Sequence, residues 1–388
     1  MDLKTLCCRL LLGAAALSTT LTVSGETITV GMSAALTGPA SELGNGVKVG
    51  IESYFSRVNA NGGVNGKTLV LDAMDDSYEP AKAAPNMNTL IDDKNVIAVM
   101  GNVGTPTAIV TVPIANEKKT LLFGAYTGAG VLRKSPTDRY IINYRASYAE
   151  ETAAMVDGLM SIGIKPEEIA FFTQNDGYGD AGYNGAVAAL KAKGFSATDS
   201  LAHGRYTRNT TNVEGALGTI LDADTEPKAI IMVGAYGPCA EFIRQARVDL
   251  PDALFVNVSF VGSVPLLHNL GADAEGVIVT QVVPHYESDL PGVADYRRDL
   301  KEFGKGAEPE FVSLEGYVAA RVFVEGLKKA PAMTREGVID GLESLSDLDI
   351  GIGVPVSYSA SNHQASHQVW PTVIRNGQYQ TLNWADLK

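Results

Sequence analysis

Residues 96–106 read VIAVMGNVGTP, and this stretch indicates both how the chain folds and where it could hold a ligand. The five apolar residues at 96–100 are typical of a buried strand, which the following glycine ends. Thr105 can then cap a helix that starts at Pro106. A helix start exposes unpaired N–H groups and a positive dipole end, so it can hold a carboxylate. The alternative is that Thr105 only caps its own helix.

The same strand, loop and helix recur along the chain. In a first series, strands are predicted at 28–33, 68–71, 96–100 and 121–124, with helices between them. In a second series, strands are predicted at 169–173, 229–233, 254–258 and 277–281, and helices at 147–162, 180–193 and 238–248. Alternating units of this kind predict an α/β fold with mostly parallel sheets. Two series predict two lobes, and the absence of a Pro/Ser-rich linker near residue 145 favours lobes joined by crossing strands.

A short apolar stretch at 10–23, preceded by Lys4 and Arg9, has the features of a secretory signal. It is shorter than the roughly 20 apolar residues that a permanent transmembrane helix needs. We therefore expect residues 1–25 to be removed by cleavage near Gly25, the alternative being a buried N-terminal helix. Cys7 and Cys8 precede the apolar run, which is not where a lipid-anchoring cysteine would stand. The expected product is released and soluble.

The charge balance excludes two classes of partner. The chain has 388 residues, with 31 Lys and Arg against 44 Asp and Glu, a net charge of −13. An acidic surface argues against nucleic acid and against insertion into anionic membranes, because phosphate binding needs a basic face. Cys239 is the only cysteine after the predicted leader, and the sequence favours a buried structural thiol there over a nucleophile.

Two further sets of glycine-flanked residues follow predicted strands. The first is Tyr126-Thr127-Gly128, and the second comprises Tyr178 and Tyr236 with their neighbouring glycines. Open α/β folds bind ligands at the carboxyl ends of their strands, so these loops are expected to line a cleft. Each loop alone is a weak signal, because glycine-rich loops are common.

Signatures of enzymes and metal sites are poorly represented. No nucleophile elbow, zinc-protease motif or phosphate-binding P-loop occurs, and residues 34–39 read AALTGP where a dinucleotide fold needs its glycine turn. His363 and His367 are four residues apart but lie in a polar, non-periodic segment, which favours a structural or solvated role. The charged run at 295–299 is interpreted as a solvated helix face. We predict a protein that is not an enzyme, with no cofactor and no metal.

In their order and spacing these segments resemble the periplasmic leucine/isoleucine/valine-binding protein family, the type I solute-binding proteins of ABC importers. The resemblance covers nearly all of the chain after the leader. It rests on the following segments: ITVGM at 28–32, LTGPA at 36–40, NGGVNGK at 61–67, GNVGT at 101–105, Tyr178-Gly179, and YGP at 236–238 ahead of FIRQAR at 242–247.

The resemblance implies two Rossmann-like lobes joined by three crossover strands, with a small-molecule ligand bound between them. Residues 26–144 and 279–355 would form the first lobe, and residues 145–278 and 356–388 the second. It also implies a periplasmic location and an inner-membrane ABC permease as the partner. A ligand-sensing receptor that feeds a signalling partner is the alternative role.

The resemblance also assigns the site. Thr105 matches the hydroxyl that receives the ligand carboxylate, and Tyr126-Thr127-Gly128 matches the loop that completes this carboxylate site. Tyr178 and Tyr236 match second-lobe tyrosines that close on the ligand. Leu43 matches the first-lobe segment that walls the side-chain pocket.

One position departs from the family pattern. Ser259 stands where amino-acid-binding members place an acid that pairs with the α-ammonium of the ligand. A buried ammonium without a carboxylate partner would be costly, so an α-amino acid is disfavoured. Phe260 and the tyrosines at 126, 178 and 236 could line an apolar slot for an aromatic or other apolar carboxylate. A branched-chain or other amino acid remains the alternative ligand.

Overall fold

The computed structural model describes residues 26–388, so the predicted leader at 1–25 lies outside the described residues. The first sheet has the order β2-β1-β3-β4-β5, with every pair parallel. Its strands are β1 (Thr27–Ala34), β2 (Thr68–Asp75), β3 (Ala98–Met100), β4 (Leu121–Phe123) and β5 (Ile141–Ile142), and the helices between them are α1 (Ser41–Ala60), α2 (Pro80–Asn88) and α3 (Thr105–Glu117). Strands β3, β4 and β5 are buried throughout, as expected where helices cover both faces of a parallel sheet.

The second sheet has the order β12-β11-β10-β9-β8-β6-β7 and is parallel except at β10, β11 and β12. Its strands are β6 (Ile169–Gln174), β7 (His203–Tyr206), β8 (Ala229–Val233), β9 (Leu254–Asn257), β10 (Ile278–Gln281), β11 (Trp370–Arg375) and β12 (Gln378–Thr381). Its helices are α4 (Tyr148–Ser161), α5 (Gly177–Ala192), α6 (Glu214–Leu221), α7 (Tyr236–Asp249) and α8 (Ser263–Leu270). The predicted class, two α/β units with mostly parallel sheets, is confirmed.

The chain crosses between the two units after β5, after β10 and before β11. Between the last two crossings, α9 (Pro291–Phe303), α10 (Phe311–Lys329) and α11 (Arg335–Glu343) return to the first unit, where α10 packs along α1. Strand β10 pairs within the second sheet, so the predicted boundary between residues 278 and 279 cuts a strand and must move to a point after residue 281. The sequence missed this because an apolar strand carries no signal of which sheet it joins.

The charged run at 295–299 is not a fully solvated face, contrary to the prediction. Asp299 is buried and accepts hydrogen bonds from Arg57 Nε at 2.7 Å and from the Tyr317 hydroxyl at 2.7 Å. These contacts tie α9 to α1 and α10. A buried carboxylate is tolerated here because its charge is paired and its oxygens are hydrogen-bonded.

Other differences concern short or irregular elements. The sequence did not indicate β5, β7, α6 or α8, and α2 ends in a π-helical segment, Thr89–Asp93, where a continuous helix was expected. Helix α4 starts with a capping box: Ser147 accepts from the Glu150 backbone N–H, and the Glu150 carboxylate accepts from the Ser147 backbone N–H. Among residues 26–388, no helix combines the length and apolar character that crossing a membrane requires.

Candidate functional site

The carboxyl ends of strands from both sheets face a common cleft. The first unit contributes the loops after β2, β3 and β4, and the second contributes the segments after β6, β8 and β9. Side chains from these loops are in direct contact across the cleft and are buried. This arrangement corresponds to the position where open α/β sheets bind ligands.

The helix start predicted from residues 96–106 is present, with one correction. Gly104, at φ 95°, is the residue before the helix, and Thr105 is the first helical residue rather than the cap. The Thr105 hydroxyl is therefore not used for capping and lies 2.7 Å from the Thr127 hydroxyl. Both threonines are buried. Two hydroxyls thus meet beside the N-terminus of α3, where unpaired N–H groups and the helix dipole favour an anion.

Near the start of α3, four aromatic rings from both units form one cluster: a Cβ on Gly104 would lie 2.1 Å from the ring of one of them, Tyr78. Phe260 is central: its ring centroid lies 4.5 Å from that of Tyr178, 5.5 Å from that of Tyr126 and 5.9 Å from that of Tyr78. The Tyr126 hydroxyl donates to the backbone carbonyl of Ser259 at 3.2 Å. The predicted residues 126, 178, 259 and 260 are therefore brought together. We name Tyr78, Tyr126, Tyr178 and Phe260 the aromatic cluster.

Tyr78 belongs to this cluster, but the sequence did not point to it. Its backbone is left-handed, with φ 62°, a conformation that bulky residues rarely adopt. The Asp76 carboxylate holds it there by accepting from the Tyr78 backbone N–H at 2.9 Å. The Tyr78 hydroxyl accepts from Gln174 of the second unit at 3.2 Å, which makes Tyr78 a bridge across the cleft. Strained residues of this kind concentrate at functional sites.

Tyr178 and Tyr236 were both expected to close on the ligand, but they lie in different parts of the cleft. The Tyr178 hydroxyl donates to the backbone carbonyl of Gly234 at 3.1 Å, so only its ring faces the cluster. Tyr236 lies farther along the cleft, against Gly262. Leu43 approaches the same glycine from the first unit, since a Cβ placed on Gly262 would lie 2.6 Å from Leu43 Cδ2 and 3.3 Å from Tyr236 Cδ1. Leu43 and Tyr236 thus form one edge of the cleft.

Gly128 is the remaining predicted residue. Its carbonyl accepts from the Tyr148 backbone N–H at 2.8 Å, and a Cβ on it would lie 2.6 Å from that nitrogen. Only glycine permits this close approach. The result is that Tyr148, which the sequence did not suggest as a site residue, stands beside the Thr127 loop. Its ring centroid is 5.3 Å from that of Tyr178.

Beside this region lies a buried charge cluster formed by Arg145, Glu151 and Glu315. Arg145 Nη2 lies 3.3 Å from Glu151 Oε1 and also donates to the Ser259 hydroxyl, while Nη1 lies 3.6 Å from Glu315 Oε1. Glu151 accepts from the backbone N–H of Ser259 at 2.8 Å and from its hydroxyl at 3.0 Å. Burial alone would lower the pKa of Arg145, but the nearby carboxylates of Glu315 and Glu151 raise it above its ordinary value.

This charge cluster corrects the expectation, drawn from Ser259, that a ligand ammonium would find no carboxylate here. The position is serine, but a carboxylate from α4, Glu151, stands directly against it. A ligand ammonium at this position would meet the Glu151 carboxylate, which is already paired with Arg145. The only signal for Arg145 in the sequence is a single basic residue between the apolar β5 and the cap of α4, and no spacing rule links it to Ser259.

Two buried donors of Arg145 lack hydrogen-bond partners in the described part of the chain. Arg145 is 1% exposed, yet its Nε and Nη1 have no hydrogen-bond partner among residues 26–388. The guanidinium lies 4.9 Å from the ring centroid of Tyr126 and 5.8 Å from that of Tyr148. Buried donors are nearly always satisfied in folded proteins, so these are conspicuous.

Other candidates from the sequence have structural roles. His363 is buried and contacts the Glu343 carboxylate at 3.1 Å, whereas His367 contacts Glu150 at 2.5 Å, so the two imidazoles have separate partners. No cluster of three or more metal-ligating side chains occurs in the region from 26 to 388. Cys239 is buried, as the structural interpretation predicts, and burial raises the pKa of its thiol.

The sequence profile of a family described as "Periplasmic binding protein" matches residues 27–378, which is most of the chain. The chain belongs to this family. Within it, the chain falls in the type I, leucine/isoleucine/valine-binding branch. One relative is the Leu/Ile/Val-binding protein BraC3 of Rhizobium johnstonii, which is 25% identical over 339 residues, 84% of this chain and 86% of that protein.

Solved structures of periplasmic binding proteins agree with the fold. A crystal structure of a "possible leucine/isoleucine/valine-binding protein" from Rhodopirellula baltica is 48% identical, covers 95% of this chain and 99% of its own, and superposes with a TM-score of 0.92. A substrate-binding periplasmic protein from Ralstonia solanacearum is 29% identical, covers 89% and 97%, and has a TM-score of 0.82. The chain is thus a solute-binding protein of the type that serves branched-chain amino acid ABC transporters, and membership in the family implies a periplasmic location.

Proposed function

We propose that this binding protein captures a small carboxylate with an apolar or aromatic body in the cleft and presents it to an inner-membrane ABC permease. The observation that carries the proposal is the pair of buried hydroxyls of Thr105 and Thr127 at the start of α3, close to an aromatic cluster drawn from both lobes. The protein is released into the periplasm after loss of residues 1–25, and its function is binding without a chemical step.

The polar end of the site suits a carboxylate. Thr105 and Thr127 can each donate to one carboxylate oxygen once the ligand replaces their mutual hydrogen bond. The amino end of α3 adds unpaired N–H groups and a favourable dipole. Gly104, with its left-handed backbone, has no side chain to obstruct this approach.

The apolar end suits a flat or branched hydrocarbon. Tyr78 and Tyr126 come from the first lobe, and Tyr178 and Phe260 from the second, so the slot is complete only when the lobes are together. A ligand that contacts both walls binds the closed form more tightly and shifts the population toward it. The permease would then recognise the closed form.

A branched-chain amino acid is the second candidate ligand. The names of several relatives favour it, since they are called Leu/Ile/Val-binding proteins or homologues of them. The pairing of Glu151 with Arg145 disfavours it, because the carboxylate nearest Ser259 already has a cationic partner. A sensing role would use the same cleft with a different downstream partner.

A thermal-shift and calorimetry screen of the protein without residues 1–25 tests the proposal. The panel contains aromatic acids, branched aliphatic acids, their amides and the matching amino acids. A ligand that binds only the folded form raises the melting temperature in a concentration-dependent way. We expect stabilisation by acids and not by amides, since the amide nitrogen cannot accept from Thr105 or Thr127. Equal stabilisation by amides and acids would contradict the carboxylate site, and selective stabilisation by leucine, isoleucine or valine would favour the second candidate.

A further inference from the structure

We propose that the Arg145 guanidinium occupies the place of a ligand ammonium and recognises a hydrogen-bond acceptor on the α-carbon of the ligand, so that the preferred class is 2-oxo or 2-hydroxy acids. This inference rests on the proposed function and names the ligand class more narrowly. It is carried by the contacts of Arg145, the donors that it leaves unpaired and the rings around it.

The carboxylate next to Ser259 already has its full set of partners. Glu151 accepts from the Ser259 N–H, the Ser259 hydroxyl and the Thr280 hydroxyl, and it lies 3.3 Å from Arg145 Nη2. Its oxygens are thus occupied by the chain's own donors, and its charge is compensated by the chain's own cation. A ligand ammonium brought to this point would meet a guanidinium instead of a free carboxylate. Like charges in a buried site are mutually destabilising.

Arg145 still has donors free for a ligand. A guanidinium has five N–H groups and no acceptor, and here its Nε and Nη1 lack hydrogen-bond partners in the chain from residue 26 onward. Glu315 is 3.6 Å from Nη1, which is too long for a hydrogen bond. A buried donor without a partner is costly, so an acceptor oxygen supplied by a ligand would gain a charge-assisted hydrogen bond.

Arg145 lies near the proposed carboxylate site. Tyr148 links the two regions, because its backbone N–H donates to Gly128 next to Thr127, and its ring centroid lies 5.8 Å from the Arg145 guanidinium. The ring of Tyr126, which neighbours Thr127 in sequence, lies 4.9 Å from the same guanidinium. An acceptor close to the ligand carboxylate, on the α-carbon, is therefore the one that Arg145 can serve.

A matched series of ligands tests this on the unaltered protein. The probes share one branched carbon skeleton: 4-methyl-2-oxopentanoate, 2-hydroxy-4-methylpentanoate, 4-methylpentanoate and leucine, measured by isothermal titration calorimetry. We expect the 2-oxo acid or the 2-hydroxy acid to bind at least about 10-fold more tightly than the unsubstituted acid, and leucine to bind most weakly. Phenylpyruvate, 3-phenylpropanoate and phenylalanine repeat the comparison with an aromatic body.

The outcomes separate the two proposals. If the unsubstituted acids bind as tightly as the 2-oxo and 2-hydroxy acids, the role of Arg145 is wrong while the carboxylate site stands. If leucine or phenylalanine binds most tightly, both the role of Arg145 and the proposed ligand class are wrong. If none of these compounds binds, the proposed function and this inference are both overturned.

An Arg145→Lys variant adds a direct test of the residue. It keeps the positive charge between Glu151 and Glu315 but removes the Nε and Nη1 donors, so the preference for the 2-oxo acid over the unsubstituted acid should fall to about 3-fold or less. Circular dichroism and thermal melting establish that the variant is folded. An unchanged preference in a folded variant would overturn the assignment, and if the variant does not fold, the ligand series on the unaltered protein decides.

Discussion

Arg208 of the second lobe donates a hydrogen bond to the Glu79 carboxylate of the first lobe, with 2.7 Å between Nη2 and Oε2. Its other terminal nitrogen lies 3.0 Å from Asp176 Oδ2, and the neighbouring Asn209 side chain donates to Glu79 at 2.7 Å. Glu79 directly follows Tyr78, so this polar bridge lies next to the aromatic cluster. Because its partners belong to different lobes, the bridge can form only when the cleft is closed.

Removing this bridge is expected to weaken ligand binding, because the bridge stabilises the closed cleft. Arg208→Ala should raise the Kd of the ligand about 2- to 5-fold, since a partly exposed ion pair contributes on the order of 1 kcal/mol or less. The effect should shrink in 1 M salt, where the charges are screened. Arg244→Ala is the matched control, because Arg244 pairs with Glu241 within one lobe. Calorimetry at two salt concentrations measures this, and equal losses in both variants would contradict a role in closure.

The alternation of strands and helices could be predicted because the central strands are buried on both faces and appear as apolar runs ended by glycine. Elements without such runs could not be predicted. Strand β7 reads HGRY and alternates buried with half-buried residues at the sheet edge, and β5 has only two residues. Their pairing is imposed by neighbouring strands, so local sequence carries little of it.

A position at the cleft was predictable where a residue follows a strand in a glycine-containing loop, as Thr105, Thr127 and Tyr178 do. Residues that reach the cleft by tertiary contact gave no such signal. Glu151 stands within α4 and resembles an ordinary first-turn acid, yet its carboxylate meets Ser259 across 108 residues of sequence. Tyr78 depends on a left-handed backbone, for which a tyrosine gives no indication. The assignment of all these residues to ligand binding remains a prediction.

Gly104 is expected to be intolerant of any side chain, for two separable reasons. Its φ is 95°, and a Cβ on it would lie 2.1 Å from the ring of Tyr78. Gly194 has a similar φ of 91°, but a Cβ on it would have no neighbouring atom within 4 Å among residues 26–388. Gly194→Ala should therefore cost about 1 kcal/mol from the backbone alone, and Gly104→Ala roughly 1–3 kcal/mol more.

Urea denaturation measures both free energies of unfolding. Adding Tyr78→Ala to Gly104→Ala should recover part of the extra loss, because the clashing ring is gone. Equal losses for the two glycine variants would show that Tyr78 does not press on Gly104.

Asp76 is expected to make stability fall as the pH rises. It is buried, and burial raises the pKa of its carboxyl from 3.8 to about 6, although Ser33 and the Tyr78 N–H donate to it. Between these two pH values the folded chain binds a proton that the unfolded chain does not. The stabilising contribution of protonated Asp76 is therefore full below about pH 4 and is lost as the pH passes 6.

The melting temperature of Asp76→Asn relative to the unaltered protein should therefore improve from pH 4.5 to pH 7.5. Asp224→Asn, at an exposed position, should show no such trend, and a flat difference for Asp76→Asn would contradict the raised pKa.

Thr105 and Thr111 lie on the same helix and are both buried, which makes them a matched pair for testing the carboxylate site. The Thr105 hydroxyl contacts Thr127, whereas the Thr111 hydroxyl has no partner in the described residues. Valine has nearly the same shape as threonine, so either change removes little more than the hydroxyl.

Thr105→Val should weaken binding of the ligand about 10-fold or more, because a hydrogen bond to a charged carboxylate is lost in a buried site. Thr111→Val should leave affinity unchanged and keep or raise the melting temperature, since an unsatisfied buried hydroxyl disappears. Calorimetry and thermal melting on both variants distinguish a ligand contact from helix packing: equal effects of the two substitutions on affinity would mean that the start of α3 does not hold the carboxylate.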